Sequence, residues 1–389
     1  MSASQNVTIE RLASEGDGVG RLADGRVVFV PATAPGDVAE VRIVEEHPRF
    51  ARAELVRVTE PGPSRVQPRC PLVGTCGGCA WQHIEYSEQC AAKARRVAET
   101  FERVAKLSPP DTVECTPCPA PYGYRSRARL GFRDGVVGLR QVRSHRLCGA
   151  SSCPVLVPLL DATLARLADD PPSGNGELTL AAGDDGSVCV TGDGRDGVAI
   201  EIESAPSSTR IQISPGVFFQ ANSVLRQPLA EAVHALAGEG ERALELFAGS
   251  GFFTMGLAGR FERVLVVEAQ GRATRDLAAN LAAAGHANVE VVTGLAERKL
   301  EAPALADFAP DVVLLDPPRK GLDRVAADRI AMLGAPRIVY VACDPATQAR
   351  DVARIAGHGY RLTQLRAFDL FPQTPHVESI ALLEKEARV

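Results

Sequence analysis

In the stretch RIVYVACDPATQARD, Arg337 to Asp351, an apolar run rich in β-branched residues leads into Cys343, and Asp344-Pro345 breaks it at once. The thiol therefore stands at the tip of a buried strand. A cysteine with the ordinary pKa of about 8.5 is a few per cent thiolate at neutral pH and intrinsically nucleophilic. In mid-strand it would read as an inert core residue; at a strand end it reads as a nucleophile. Two further apolar runs end in carboxyls, VVLL at Asp316 and RVLVV at Glu268.

These acids and a pair of glycines point to a cofactor. Gly249 and Gly251 of FAGSGFF follow the run ALEL and open a helix, where glycine permits positive φ and a close approach to the backbone. Glu268, at the next strand tip, has a carboxylate suited to both hydroxyls of a ribose. An adenosine cofactor fits this pattern, and these features alone do not divide a nicotinamide dinucleotide from S-adenosylmethionine. Pro317 and Pro318 then stiffen the loop after Asp316 and hold a carboxylate toward the cleft. A dehydrogenase has no use for that group, so the preference is S-adenosylmethionine.

A nucleophile beside a methyl donor has a specific use. C5 of uracil carries no lone pair and attacks a methyl sulfonium only after a nucleophile has added at C6. A base must then take the C5 proton so that the thiolate can leave. Glu378, where DLFPQTPHVESIALLEK enters a last strand, is the candidate base.

A second constellation is CPLVGTCGGCAWQH, with Cys70, Cys76 and Cys79 closely spaced and Gly77-Gly78 allowing a tight fold. Three such thiols form a metal signal, and spacing does not separate zinc from iron and sulfur. Local sequence leaves the fourth ligand open among Cys115, Cys118, Cys148 and Cys153.

The elements that must position these residues fall into three expected units. Residues 1–60 read as short strands, with a hairpin at Asp24-Gly25, forming a small closed barrel of oligonucleotide-binding type. Residues 61–212 begin with a proline-rich linker and the cysteine cluster. They continue through an amphipathic helix from about Ser87 to Lys106, which packs on the catalytic unit, into a β-rich region from Tyr122 to about Ser204. In residues 213–389 apolar strands alternate with helices, the pattern of an α/β, Rossmann-like, doubly wound sheet that binds ligands at its strand tips.

FFQAN, LFAGSGFF, LLDPPRKG, CDPATQARD and DLFPQTPHVE, in this order, closely resemble the motifs of the RNA uridine C5-methyltransferases, which make 5-methyluridine in ribosomal or transfer RNA. The resemblance covers nearly the whole chain, with residues 1–60 similar to the family's RNA-binding TRAM barrel. It implies a class I methyltransferase domain with Cys343 as nucleophile and Glu378 as base. It also implies S-adenosylmethionine contacts at Gln220, Phe247, Glu268 and Asp316, beside Gly249 and Phe252 of the glycine loop. It further implies a 4Fe-4S cluster on Cys70, Cys76, Cys79 and, in SSCPVL, Cys153. Two positions depart from the pattern: Phe252 stands where the family often has Asn, and ACDP replaces the commoner SCNP at Asp344.

Composition bounds the rest. The net charge of −5 disfavours a nucleic-acid binder on average, yet seven arginines from Arg125 to Arg146 face one acid, Asp134, with Lys93, Arg95, Arg96, Arg103 and Lys106 upstream. Ten cysteines, no apolar segment of membrane-spanning length and no secretion-like start lead to the expectation of a soluble, cytoplasmic, monomeric protein without a disulfide framework. Ribosomal RNA is the expected substrate, because the transfer-RNA enzymes of this family typically lack cluster and barrel. The alternatives are an enzyme acting on uridine 54 of transfer RNA, an iron-sulfur redox protein with a dinucleotide site, and a non-catalytic RNA chaperone.

Overall fold

The computed structural model describes residues 4–191, 198–204, 207–302, 305 and 307–386. Strands β1 (Gln5–Leu12), β2 (Gly18–Arg21), β3 (Val27–Val30), β4 (Val38–Glu46) and β5 (Phe50–Glu60) close into a barrel of order β1-β2-β3-β5-β4. Alternation fills it: Val7, Ile9, Val28, Val30, Ala39, Val41, Ala51 and Ala53 point inward and are buried. The linker is fastened back on the barrel by Asp37, whose buried carboxylate accepts from Ala34 N, Gly62 N and Arg65 Nη2 at 2.7, 2.9 and 2.7 Å.

The expected helix after the cysteine cluster is α1 (Tyr86–Thr100), and its last stretch departs from α geometry. Phe101–Ala105 form a wider π turn that ends at Lys106 with φ +58°. The chain then lays a short strand, β6 (Cys115–Thr116), against the far edge of the catalytic sheet. The central sheet comprises β7 (Arg127–Arg133), β8 (Val136–Arg140), β9 (Leu147–Gly149), then after a helix β10 (Asn175–Ala182) and β11 (Val188–Val190), in the order β11-β10-β7-β8-β9. That helix, α2 (Pro158–Asp169), corrects the expectation of strands alone. It has Pro at its start and no side-chain cap, and Leu160 and Leu164, one turn apart, cover the inner face of the sheet. A hairpin of β12 (Val198–Ser204) and β13 (Ser207–Ile213) follows.

The remaining elements are α3 (Arg226–Ala237), β14 (Gly240–Leu246), α4 (Thr254–Ala258), β15 (Phe261–Glu268), α5 (Gly271–Ala284), β16 (Val289–Thr293), α6 (Ala296–Lys299), β17 (Val312–Leu315), α7 (Arg324–Met332), β18 (Arg337–Ala342), α8 (Pro345–Ala356), β19 (Tyr360–Phe368) and β20 (Glu378–Lys385). The sheet order is β16-β15-β14-β17-β18-β20-β19-β6. Strands β14 to β18 are parallel, and β20 runs antiparallel between β18 and β19. Chain order reverses between β14 and β17, which opens a crevice at the strand tips. Val97, Phe101 and Ala105 of α1 and its π turn share one core with Leu315, Ile338 and Ala367 of this sheet, so the helix belongs physically to the catalytic layer.

Lys93 holds that junction together. It is fully buried and pairs with the equally buried Asp369, its Nζ also donates to Phe371 O at 3.0 Å, and it lies 5.7 Å from the centre of the Trp81 ring. Its expected place in a basic surface is therefore corrected: α1 turns Lys93 inward because a carboxylate waits there. No described helix is long and apolar enough to cross a membrane. Replacing Lys93 with Met should lower stability by about 3–5 kcal/mol, since Asp369 is left charged and unpaired. The double replacement Lys93→Met/Asp369→Leu should recover most of the loss in urea unfolding.

Candidate active site

Three strand tips meet. Strand β17 pairs Leu315 with Tyr340, one residue before Asp316; β18 pairs Ala342 with Ser379 in antiparallel register. The next residues outward on β18 and β20, Cys343 and Glu378, therefore face each other across the strand ends. Asp316, Cys343, Glu378 and Arg319 interact electrostatically as one group.

The sequence around these tips is explained almost residue by residue. Asp344 caps α8, accepting from Ala346 N at 2.9 Å and Thr347 N at 3.0 Å. One side-chain oxygen accepts both bonds, as an Asn carbonyl would, so the departure at this position leaves the helix start intact. Thr347 donates to Arg319 O at 3.1 Å, Arg350 donates to Lys320 O and Leu322 O, and Asp351 accepts from Leu322 N and Tyr340 Oη, each at 2.8 Å. Helix α8 thus pins the DPPRKG loop. Gln348, fully buried, donates to Tyr340 O at 2.8 Å and accepts from Ser379 Oγ at 2.7 Å, joining β18 to β20 beneath the tips.

The loop from Asp369 to Val377, which delivers Glu378, is held from every side. Asn222 Nδ2 donates to Leu370 O at 3.1 Å, Tyr124 Oη to Pro372 O at 3.0 Å and Arg96 to Pro375 O at 2.6 Å. Gln373, at φ +69°, exchanges two hydrogen bonds with Gln89, each 3.0 Å, and its carbonyl accepts from Trp81 N at 2.9 Å. Trp81 in turn donates to Gly16 O of the barrel at 2.9 Å.

On the other side of the crevice, Phe247, Gly249 and Gly251 have φ of +65°, +58° and +100°. A Cβ on Gly249 would meet nothing within 4 Å, so this turn presents open backbone. Glu268 accepts from Gly249 N at 2.9 Å and from Gln270 N at 2.7 Å, which ties the second strand tip to the glycine loop. Gln220 is buried just before α3, beside Ala221, whose carbonyl accepts from Ser126 N at 2.8 Å. Phe252 places its ring in the core, 5.4 Å from that of Phe219 and edge to face. Ser250 Oγ is buried without a partner, an orphan hydroxyl in the glycine loop that suits a polar ligand.

Burial dominates the electrostatics. Asp316 is pushed up to about 7 by desolvation. Glu378 is raised well above the carboxylate range by burial and by Asp316, against the pull of Arg319. Burial, with Glu378 and Asp316, pushes the Cys343 thiol up to about 11, while Arg319 lowers it. His376 is held down to about 4 by burial and the cations Arg319, Arg96 and Lys93, and it lies 3.2 Å from Arg319 Nη2. Arg319 is thus the cation nearest the thiol chemistry. Sequence reasoning passed over it although it sits in the LLDPPRKG motif, as it passed over Trp81, Gln89, Asn222 and Gln348.

The four expected metal ligands are also together. Cys70, Cys76, Cys79 and Cys153 line one small pocket of about 20 Å³, walled by Leu72, Val73, Leu139, Ala150 and Val155. All four are free thiols, and burial pushes Cys79 up to about 11 and raises Cys76 and Cys153. They share a pocket without converging on a point: among the described residues no three Cys, His, Asp or Glu side chains are grouped to hold a metal ion. Two rivals lie elsewhere, Cys115 beside Cys90 and Cys118 beside Asn222, whereas Cys148 is buried outside the pocket lining but close enough to act on Cys76 electrostatically. From the cysteine loop a cavity of about 610 Å³ runs past Arg125, Arg129, Arg140 and Arg143 to Arg319, Phe371 and His376. Arg127 is not part of that surface, since it is largely buried and donates to Val217 O.

Comparison with known proteins gives a consistent picture. Residues 195–386 match the family model described as tRNA (Uracil-5-)-methyltransferase, and residues 3–56 match the TRAM domain. The chain is 30% identical, over 98% of its length and 96% of the relative's, to a 23S rRNA (uracil(1939)-C(5))-methyltransferase of Vibrio parahaemolyticus. It is 34% identical over 98% of both chains to an uncharacterized RNA methyltransferase of Thermosynechococcus vestitus. Among solved structures it resembles the Pyrococcus abyssi tRNA (uracil-54, C5)-methyltransferase in complex with S-adenosyl-L-homocysteine, with a TM-score of 0.75, 25% identity, and 97% and 100% of the two chains covered.

One buried acid near the crevice gives a pH signature. Burial pushes Glu245 up to about 8, with Asp316 and Glu268 adding to the rise and a 2.6 Å hydrogen bond from Thr254 Oγ1 opposing it. Its folded pKa lies above the unfolded one, so its contribution to stability is complete in acid and is lost as pH rises through about 8. Glu245→Gln keeps a partner for Thr254 and removes the titration. Between about pH 5 and pH 8.5 the melting temperature of the wild type should fall relative to that of the variant.

Proposed function

The chain belongs to the S-adenosylmethionine-dependent RNA uracil-C5 methyltransferases, and from that premise we propose that it methylates a uridine of 23S ribosomal RNA with Cys343 as nucleophile and Glu378 as base. The observation that carries the reading is the convergence of Cys343, Glu378 and Asp316 at three adjacent strand tips beside an open glycine loop. S-adenosylmethionine, when bound, supplies the methyl group; Gln220, Phe247, Gly249, Glu268 and Asp316 hold it, with Phe252 supporting the loop from the core.

Cys343 adds to C6 of the flipped uracil as the thiolate, a state that Arg319 favours against the burial that opposes it. C5, now electron-rich, takes the methyl group. Glu378 then removes the C5 proton, and its raised pKa makes it a stronger base than an exposed carboxylate. The C6–S bond breaks, the C5–C6 double bond returns and the thiolate is regenerated. The ribosomal target is favoured by full-length similarity to 23S rRNA enzymes and by the four-thiol pocket. The thiol set Cys70, Cys76, Cys79 and Cys153 suits a 4Fe-4S cluster that ties the linker to the central sheet. We assign residues 1–60 to RNA binding, 61–212 to the central unit and 213–389 to catalysis, with α1 and β6 packed on the catalytic sheet.

With 5-fluorouridine-substituted ribosomal RNA and the methyl donor, the wild type should form a denaturation-resistant adduct, because fluorine replaces the proton that the base removes. Cys343→Ala should form none while still binding RNA. Glu378→Gln should methylate unsubstituted RNA yet remain attached to it; clean turnover by that variant sinks the assignment of Glu378. An adduct with transfer RNA alone would move the substrate to that class. Anaerobically purified protein should hold about four iron and four sulfide per chain, lost in Cys153→Ser; zinc in their place would overturn the cluster.

A further inference from the structure

The outer face of the central sheet carries its arginines around a low floor of two glycines and Leu147. Ala128, Leu130, Val137 and Leu180 turn inward onto α2, leaving Arg129, Arg140 and Glu177 on the solvent face. Between them the register sets Gly131 opposite Gly138 on one side and Glu177 on the other, and the Leu147 side chain of β9 lies over Gly131. The carboxylate of Glu177 bridges the two cations, Oε2 to Arg129 Nη2 at 2.6 Å and Oε1 to Arg140 Nη2 at 2.7 Å.

Two features make this triad more than a surface ion pair. Its members are exposed, with side chains 74%, 50% and 36% accessible for Arg129, Arg140 and Glu177, so the pairing itself is worth little in water. Its position is also particular. Glu177 and Arg140 line both the 610 Å³ cavity that leads to Arg319 and His376 and a neighbouring cavity of about 500 Å³ that holds Arg133 and Arg146. Glu177 is the sole carboxylate among the described residues lining the larger cavity, and Arg133 and Arg146 make no ion pair among the described residues. Two guanidiniums presented to one group with an oxygen for each also match the non-bridging oxygens of a phosphate.

We propose that Arg129 and Arg140 form a binding site for a backbone phosphate on the strand flanking the target uridine, and that Glu177 fills this site until the RNA displaces it. The inference rests on the reading of the chain as an RNA methyltransferase and adds the path of its substrate. Glu177 holds the two arginines apart at phosphate spacing and discourages polyanions that gain nothing further along the groove. A specific RNA, anchored at the catalytic end, makes the exchange; an unspecific one loses more to it.

The test is RNA affinity as a function of salt, for a ribosomal RNA fragment that the wild type methylates and for polyadenylate of equal length. In Arg129→Ala/Arg140→Ala the plot of log affinity against log salt should become shallower by about 0.7 to 1.4, the single-strand value for one or two contacts. Glu177→Gln should bind about two- to fivefold tighter, the range of an exposed ion pair, with the larger gain on polyadenylate. In the double-arginine background Glu177→Gln should change nothing, because the three side chains act as one unit. An unchanged slope in the arginine variant, or weaker binding by Glu177→Gln, overturns the site while wild-type methylation leaves the enzyme assignment standing. A wild type that neither binds nor methylates the fragment overturns both. Arg129→Lys/Arg140→Lys retains the charge and should keep the slope, which separates phosphate binding from damage to the sheet.

Discussion

A lysine with no exposed surface tolerates only one kind of neighbour, and the pairing of Lys93 with Asp369 organises the centre of this molecule. Lys93 lies on a helix of the N-terminal half, and Asp369 begins the loop that ends at the candidate base. The same loop receives Trp81, Gln89, Arg96, Tyr124 and Asn222. Each of these groups satisfies a backbone or side-chain polar atom that has no partner within the loop itself. An irregular loop can be buried only on those terms.

The position of the active groups follows from strand register more than from any single contact. An antiparallel strand inserted between two others sets Ser379 against Ala342, and a shift of one residue would turn Glu378 away from Cys343. Gln348 and Ser379 guard that register from below through hydrogen bonds to each other and to main-chain carbonyls of β18 and β20. Cys343 and Glu378 are therefore placed by regular structure, while the glycine loop, the DPPRKG loop, the segment of Gln220 and the loop from Asp369 to Val377 add irregular backbone.

Much of this was legible in the sequence because strand tips announce themselves: an apolar run ends abruptly at Glu268, Asp316 or Cys343, and the residue at the break faces the cleft. The hairpin at Asp24-Gly25 was equally plain, since Gly25 takes φ +86°. What stayed hidden was long-range. Lys93 reads as one more cation on an amphipathic helix until Asp369 is seen opposite. The helix α2 is rich in leucine and alanine, but it has no side-chain cap and runs on from the apolar stretch CPVLV, so its start does not stand out from the strands around it. Arg319 sits in a recognisable motif, yet its influence on Cys343 depends on a fold that brings the two loops together.

The buried ion pair also has a history in time. Its partners are separated by 276 residues, and at about 5–20 residues per second the ribosome delivers Asp369 roughly 14 to 55 seconds after Lys93. Throughout that interval α1 has neither its counter-ion nor the sheet that β6 is to flank, so its apolar face and its lysine must both wait. The barrel can close as soon as residue 60 is free, and the central sheet has its own core with α2, whereas α1 and β6 are committed to the last strands made.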